Sequence, residues 1–351
     1  MAKVRLVDVA RAAGVSQGTA SNAFNRPDVV RPEVRARVME CAQRIGYQGA
    51  DPAARMLRAG KANAVGVVTD CELPYFFNDP YLRLFMEGIA EVCDEHSAGL
   101  SLVSSLSDEV AAWTVQTAMV DGFIVDCMEH GHRLIDLALK RNLPFVAADF
   151  DAGKGINSVK VDDIEGARLA ARHLLDLGHR RIAILSMPFR DDGRVGMVET
   201  HRMKEVQYVV TGARMTGYRK AFIEAGLDPD TVPVFETQND GPTVRAGFEA
   251  LMAIDPRPTA LIGMADVIAL GALDLLREQG LAVPHDLSLV GFDGIPDSER
   301  SQPPLTTIVQ PIKEKGRRAA EMVFDGSTGR QVTLELALAI RGSTAPPRPD
   351  R

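Results

Sequence analysis

Residues 14–18, Gly14-Val15-Ser16-Gln17-Gly18, have the G-x-S-x-G spacing of a nucleophile elbow, the turn that lifts a serine hydroxyl above an α/β sheet. A second cluster, "DCMEHGH", places Asp126, Cys127, Glu129, His130 and His132 on one short segment, and these are donor types that hold zinc or copper. A third set consists of carboxylates and amides that follow apolar runs. Asp70 follows "AVGVVT", Asp126 follows "DGFIV", Asp149 follows "LPFVAA" and Asp293 follows "LSLVGF", with Asn239, Asp240 and Asp266 similarly placed. Acyl transfer, metal binding and ligand capture are different chemistries, and the elements that carry these residues decide among them.

The elbow requires a buried strand before its serine. Residues 5–13 have a helical period instead, with Leu6, Val9, Ala10 and Ala13 on one face and Gly14 as the C-terminal stop. No HGGG-type segment supplies an oxyanion hole. Ser16 therefore reads as the N-cap of a second short helix, whose apolar stripe is Ala20, Ala23 and Phe24. A third helix starts after "RPDVVRPEV", with Pro32 in its first turn and Val34, Val38, Cys41 and Ile45 on its buried face. Three short helices with a glycine turn between the first two form the helix-turn-helix plan, and the close approach it needs is met by alanine at positions 10 and 20. In that setting the Ser16 hydroxyl is a cap that is also able to donate to a DNA phosphate.

Charge supports the same division. The 351-residue chain carries a net charge of −7, yet residues 1–61 hold 11 Lys/Arg against 5 Asp/Glu. A basic head on an acidic body points to a polyanion as partner of the head alone. The four cysteines are scattered without a C-x-x-C pair, which suits a reducing compartment. Asp8 and Arg11 interrupt any signal-peptide core, and no apolar run approaches the roughly 18 residues of a membrane helix. A cytoplasmic protein without a membrane partner is expected. The "DCMEHGH" segment reads better as a polar surface turn, so neither a metal nor a cofactor is expected.

From residue 62 to 340, strands alternate with helices. The strands are expected at Ala64–Val68, Leu100–Val103, Gly122–Val125, Phe145–Ala147, Ile156–Val161, Arg181–Leu185, Val232–Phe235, Ala260–Gly263 and Leu287–Phe292. Such alternation implies doubly wound parallel sheets. The pattern of "NAVGVV…EGIAEV" restarts in "RRIAIL…TGYRKAF", so two similar halves with a cleft between them are expected. No strand leads into G-x-G-x-x-G and no Walker A motif occurs, which argues against a dinucleotide enzyme. Ligands in these folds sit beyond the carboxyl ends of strands. The candidates there are Asp70, Tyr75, Phe76, Phe77, Asp126, Asp149, Asn239, Asp266 and Asp293, an aromatic and carboxylate set suited to a polyhydroxylated ring. The bland alternatives are that Asp266 caps the helix "VIALGALDLLREQG" and that Phe76 and Phe77 belong to the core.

At this point the chain resembles the lactose-repressor/galactose-repressor family of bacterial transcription regulators. The resemblance runs from about residue 4 to 343 and is carried by "LVDVARAAGVS", Thr19-Ala20-Ser21 with Asn25, "VRPEVRARV", the Ala54–Leu57 stretch, "DGFIVD", "GARLAARHLLDLGHRRIAIL", "TGYRKAF", "LGALDLLREQGLAVPHDLSLVGFD" and "PPLTTIVQP". It implies an all-α helix-turn-helix domain over 1–49, a hinge helix over 50–61, and an α/β core like that of periplasmic binding proteins. The core would divide into 62–161 plus 293–324 and 162–292 plus 325–343, followed by a disordered tail over 344–351. It further implies a homodimer on a near-palindromic operator. Gln17, Gly18 and Asn22 fall at base-reading positions, where Gln and Asn can each bond adenine twice. Ser16, Thr19, Ser21, Asn25 and Arg31 fall at DNA-contact positions beside them, while Ala54 and Leu57 belong to the hinge, with Leu57 entering the minor groove. Arg214 matches the family's effector-binding arginine, Asp293 its cleft aspartate, and Ala265 replaces the usual Asn or Ser. The implied function is a repressor controlled by a sugar-like effector. A nucleobase, nucleoside or acidic metabolite is the alternative effector, the last favoured by arginines in the long segment 187–211. A sugar-binding protein without a DNA role is the rival from another class.

Overall fold

Ser16 begins the second of three head helices, and its hydroxyl accepts the Thr19 amide at 3.0 Å, as a cap should. Helix α1 spans Leu6–Ala13, α2 Gln17–Asn25 and α3 Pro32–Ile45. Gly14 closes α1 in the left-handed region at φ 64°, where a side chain would be strained. Val9, Ala10, Ala13, Ala20, Ala23, Val38, Cys41 and Ala42 form the small core beneath them. Ala20 is fully buried, so the tight α1–α2 approach depends on a side chain of that size. The computed structural model describes residues 4–49, 60–69, 71–104, 108–126, 131–151 and 153–348. The hinge residues Ala54 and Leu57, the strand-end Asp70, and Cys127, Glu129 and His130 lie outside them. Residues 1–62 and 63–351 are two separate compact units.

In the second unit two sheets form. One has the order β12-β5-β4-β3-β1-β2, the other β13-β11-β10-β9-β6-β8-β7. The first contains β1 Ala64–Thr69, β2 Gly99–Ser104, β3 Gly122–Asp126, β4 Phe145–Ala148, β5 Asn157–Val161 and β12 Gln331–Leu334. The second contains β6 Ile182–Ser186, β7 Gly196–Met197, β8 Val234–Glu236, β9 Ala260–Gly263, β10 Ser288–Asp293, β11 Thr306–Val309 and β13 Ala337–Ala339. The central pairs are parallel, for example Val65 opposite both Leu100 and Gly122. Only the edge strands β7 and β13 run antiparallel to their neighbours. Buried apolar runs such as β1, β3 and β10 need cover on both faces, which the flanking helices provide. Among the described residues no helix is long and apolar enough to cross a membrane.

Sheet membership moves two expected boundaries. β11 stays with the second sheet, so the chain crosses back near residue 310 rather than 293. It then forms the helix Ile312–Phe324 and adds β12 to the first sheet beside β5, and returns to the second only at β13. The chain therefore crosses three times, after β5, after β11 and after β12. The tail is also ordered up to residue 348. Ala345 O accepts from Ser288 Oγ at 2.9 Å, and Ala345 N donates back to that hydroxyl at 3.0 Å. Thr344 Oγ1 lies 2.9 Å from His173 Nε2, and Arg348 pairs with Asp286. Composition suggested disorder, but Ala345 pairs both its backbone N–H and C=O with the Ser288 hydroxyl of β10.

Candidate functional site

The strand ends of the two sheets face one cavity of about 600 Å³ in the second unit. Tyr75, Asp126, Asp149, Arg214, Asn239 and Asp293 all line it, together with Asp240 and Ala265. Three of these have left-handed backbone at non-glycine residues: Asp149 at φ 60°, Asn239 at φ 58° and Asp293 at φ 122°. Such conformations are costly, and they gather at functional sites where the surroundings enforce them. Each falls at or just past the end of a strand, beside the cavity between the sheets.

Arg214 dominates the second wall. It is buried on the helix Val209–Glu224, its guanidinium 3.7 Å over the Phe292 ring. Its Nε donates to Asp163 at 2.8 Å, Nη1 to Met264 O at 2.7 Å and Nη2 to Asp293 at 3.2 Å. Burial and the charge of Arg214 act oppositely on Asp293, and burial prevails, pushing its carboxyl up to about 6. Gln310 Nε2 donates to the same Asp293 oxygen at 2.8 Å. On the first wall, Asp149 accepts from Tyr81 OH at 2.6 Å and from Lys315 Nζ at 2.8 and 2.6 Å. Burial, followed by the Asp149 charge, pushes the Tyr81 phenol well above its ordinary value. Across the opening, Asn239 Nδ2 lies 3.5 Å from Tyr75 OH, and Asn239 Oδ1 is buried with no hydrogen-bond partner among the described residues. That oxygen is a buried acceptor left unsatisfied beside the cavity.

Three expected contacts are corrected. Asp266 is fully buried and does not line the cavity. Its carboxylate accepts the amides of Gly294 and Ile295 at 2.8 and 3.0 Å and the Thr307 hydroxyl, so it holds the turn that presents Asp293. It does not cap its own helix Asp266–Glu278 either, since Ala265 occupies that position and offers no side-chain bond. Phe76 is 2% exposed in the core of the first sheet, and Phe77 is 63% exposed and also away from the cavity wall. The aromatic lining is instead Tyr75, Tyr81 and Tyr208. Sequence reasoning missed Asp79, Tyr81, Asp163, Gln310 and Lys315. The only available signal was Asp79-Pro80, a cap followed by proline, and Asp79 does accept the Leu82 amide at 2.9 Å.

The long segment 187–211 is structured. It contributes the edge strand β7 and the short helix Thr200–Met203. Arg202 is buried and bonds Glu236 and Asp192, Arg190 pairs with Glu205, and Arg194 donates to Met197 O. None of these arginines lines the cavity, so the expected basis for an acidic ligand is absent. Of the groups that do line it, seven are carboxylates and one, Arg214, is a cation already committed to Asp163 and Asp293. Among the described residues no cluster could hold a metal ion.

In the head, Ser16, Gln17, Gly18, Asn22, Asn25 and Arg31 are exposed, and Thr19 and Ser21 half-buried. Ser16 Oγ lies 2.9 Å from Thr19 Oγ1, and Asn25 donates to Ser21 at 3.3 Å. Gln17 and Asn22 make no side-chain hydrogen bond among the described residues, which leaves two exposed amides on α2.

Comparisons with known proteins agree with both units. A profile of bacterial regulatory proteins of the lacI family matches residues 5–49, and one of the periplasmic binding protein-like domain matches residues 171–344. An HTH-type transcriptional regulator of Mycobacterium tuberculosis is 39% identical over 98% of both chains. The crystal structure of the Lac repressor dimer bound to operator and the anti-inducer ONPF superposes with a TM-score of 0.75 at 25% identity, covering 97% of this chain and 99% of the other. A LacI-family transcriptional regulator from Enterococcus faecium with bound ribose gives a TM-score of 0.68 at 26% identity, over 81% of this chain and 99% of that one.

Proposed function

The chain belongs to the lacI family of bacterial regulatory proteins, and from that premise we propose that it is a repressor whose operator affinity is set by an uncharged polyhydroxylated effector in the 600 Å³ cavity. The head supplies the DNA-reading face, and Gln17 and Asn22 are the side chains placed to bond base edges, with Ser16, Thr19, Ser21 and Asn25 beside them for phosphate. A homodimer would set two such heads on a near-palindromic site.

The observation that carries the effector class is the charge of the cavity wall. A phosphate or carboxylate would meet seven carboxylates and a single guanidinium already paired with two of the chain's own carboxylates and with Met264 O. A neutral ring with several hydroxyls meets carboxylate acceptors it can donate to. The solved relative that holds ribose supports the same class. Tyr75 and Asn239 come from opposite walls, so a ligand bonding both favours one separation of the walls over others. That differential contact is the source of coupling to DNA, for which about 1–3 kcal/mol is typical.

The test is fluorescence anisotropy on a selected operator duplex at fixed salt, with neutral sugars and polyols, their phosphates, and purines added in turn. A neutral sugar is expected to shift the binding curve about five-fold or more, and its phosphate to leave it unmoved. A shift produced by anionic metabolites or purines alone overturns the effector class. Equal affinity for operator and random DNA overturns the repressor reading itself.

A further inference from the structure

Lys315 is the fully buried lysine among the described residues, at 0% exposure on the helix Ile312–Phe324. A buried ammonium is costly unless its donors are all taken. Here Nζ donates to both oxygens of Asp149, to Gln310 Oε1 at 2.8 Å, and to Tyr81 OH at 3.1 Å. It has no donor left for a ligand, so any role it has is exerted through these partners.

Gln310 is the informative one. An amide has one oxygen and one nitrogen, and Lys315 takes the oxygen. The nitrogen is therefore forced toward Asp293, 2.8 Å away on the other wall. Asp293 selects the same end, and Lys315 anchors the other, so without the lysine the amide oxygen loses its partner and the side chain its hold on the first wall. Gln310 also follows β11, at the second crossing between the sheets, and Asp163 follows β5 at the first. The result is one continuous chain, Asp149–Lys315–Gln310–Asp293–Arg214–Asp163, that spans both walls and touches two of the three crossings.

We propose that Lys315 is a positioning residue that joins the two walls of the cavity into one frame, holding Asp149 directly and Asp293 through Gln310. The effector consequence rests on the cavity being the ligand site, whereas the coupling of the walls does not. An ion pair with only local effect would stabilise Asp149 and its surroundings and leave the second sheet untouched.

Amide hydrogen exchange on the full chain, with no sugar added, separates the two. Lys315→Met is expected to speed exchange about ten-fold in two places, residues 145–151 around Asp149 and residues 288–296 around Asp293. Gln310→Ala is expected to speed only 288–296, because Asp149 keeps Lys315 and Tyr81. If Lys315→Met does not fold, Lys315→Met/Asp149→Asn removes both charges and leaves no unpaired carboxylate. It is expected to retain the fast exchange at 288–296, an effect that a local structural role would not produce. Faster exchange confined to 145–151, or unchanged exchange at 288–296 in both lysine variants, overturns the proposal. A parallel arm titrates ribose and cellobiose into wild type. Failure of both to bind counts against the polyol reading, while the exchange pattern still decides the role of Lys315.

Discussion

Arg202 meets Glu236 as a two-pronged fork, Nε to Oε2 at 3.0 Å and Nη2 to Oε1 at 2.7 Å, with both side chains buried. Glu236 also accepts the Phe189 amide at 2.7 Å, so this pair fastens the start of the 187–211 segment and its short helix to the end of β8. Removing one partner of a buried pair leaves the other charge without compensation. Arg202→Met is therefore expected to cost about 3–5 kcal/mol in urea unfolding. Arg202→Met/Glu236→Gln should recover part of that loss, and a double variant no more stable than the single one counts against the account.

Asp266 and Asp293 make stability depend on pH. Burial, then the Asp293 charge, pushes the Asp266 carboxyl up from 3.8 to about 8, against the donors Thr307, Ile295 and Gly294. With Asp293 at about 6, the folded chain holds protons that the unfolded chain has released. An acid raised on folding stabilises the fold at low pH and loses that contribution as pH rises through its folded value. Stability should thus fall between about pH 4 and about pH 8, by on the order of 1 kcal/mol per pH unit for one proton. Asp266→Asn should flatten that slope in denaturation midpoints. A slope of opposite sign would refute the assignment.

Two helix pairs depend on glycine for contact between backbones. A Cβ on Gly88 would lie 2.0 Å from Lys313 O, and one on Gly217 would lie 2.1 Å from Ile164 O. Neither carbonyl can retreat without moving its helix. Gly88→Ala and Gly217→Ala are each expected to cost about 1–3 kcal/mol, read as a lower thermal midpoint. Unchanged midpoints would mean that the helices separate freely.

The head offers a contrast between two polar residues. Asn22→Ala should lose about 1–3 kcal/mol of discrimination between operator and single-base variants. Ser16→Ala should weaken binding to all duplexes alike and cost about 1 kcal/mol of head stability through the lost cap. Reversal of these two patterns in anisotropy titrations would exchange their roles.

What the sequence made legible had punctuation or period behind it. Gly14, Ser16 and Pro32 marked helix ends that the structure reproduces, and the buried strands β1, β3, β4 and β6 announced themselves by apolar runs between turn residues. The edge strands β12 and β13 did not, because β12 alternates exposed and half-buried residues and β13 is only three residues long. Within the site, Asp149, Arg214 and Asp293 were legible because they follow strands or match motif blocks. Lys315 was not. It stands two residues from Lys313, whose side chain is 41% exposed on salt bridges to Glu87 and Glu91, and nothing in "QPIKEKG" separates a solvated lysine from a buried one. Phe76 and Phe77 failed for a related reason, since adjacent aromatic residues on a short helix must face different ways.

The three crossings between the sheets have a bearing on how this chain can be taken apart and recombined. Each subdomain is assembled from non-contiguous stretches, with β12 contributed after β11 and β13 after β12. No single cut in the sequence would liberate either one, and exchanging a wall with a homologue would mean splicing at three junctions at once. The head, by contrast, is one uninterrupted stretch and a compact unit of its own. Chimeras that trade DNA sites can therefore be made with one splice, whereas those that trade ligand response must move residues 63–348 as a block.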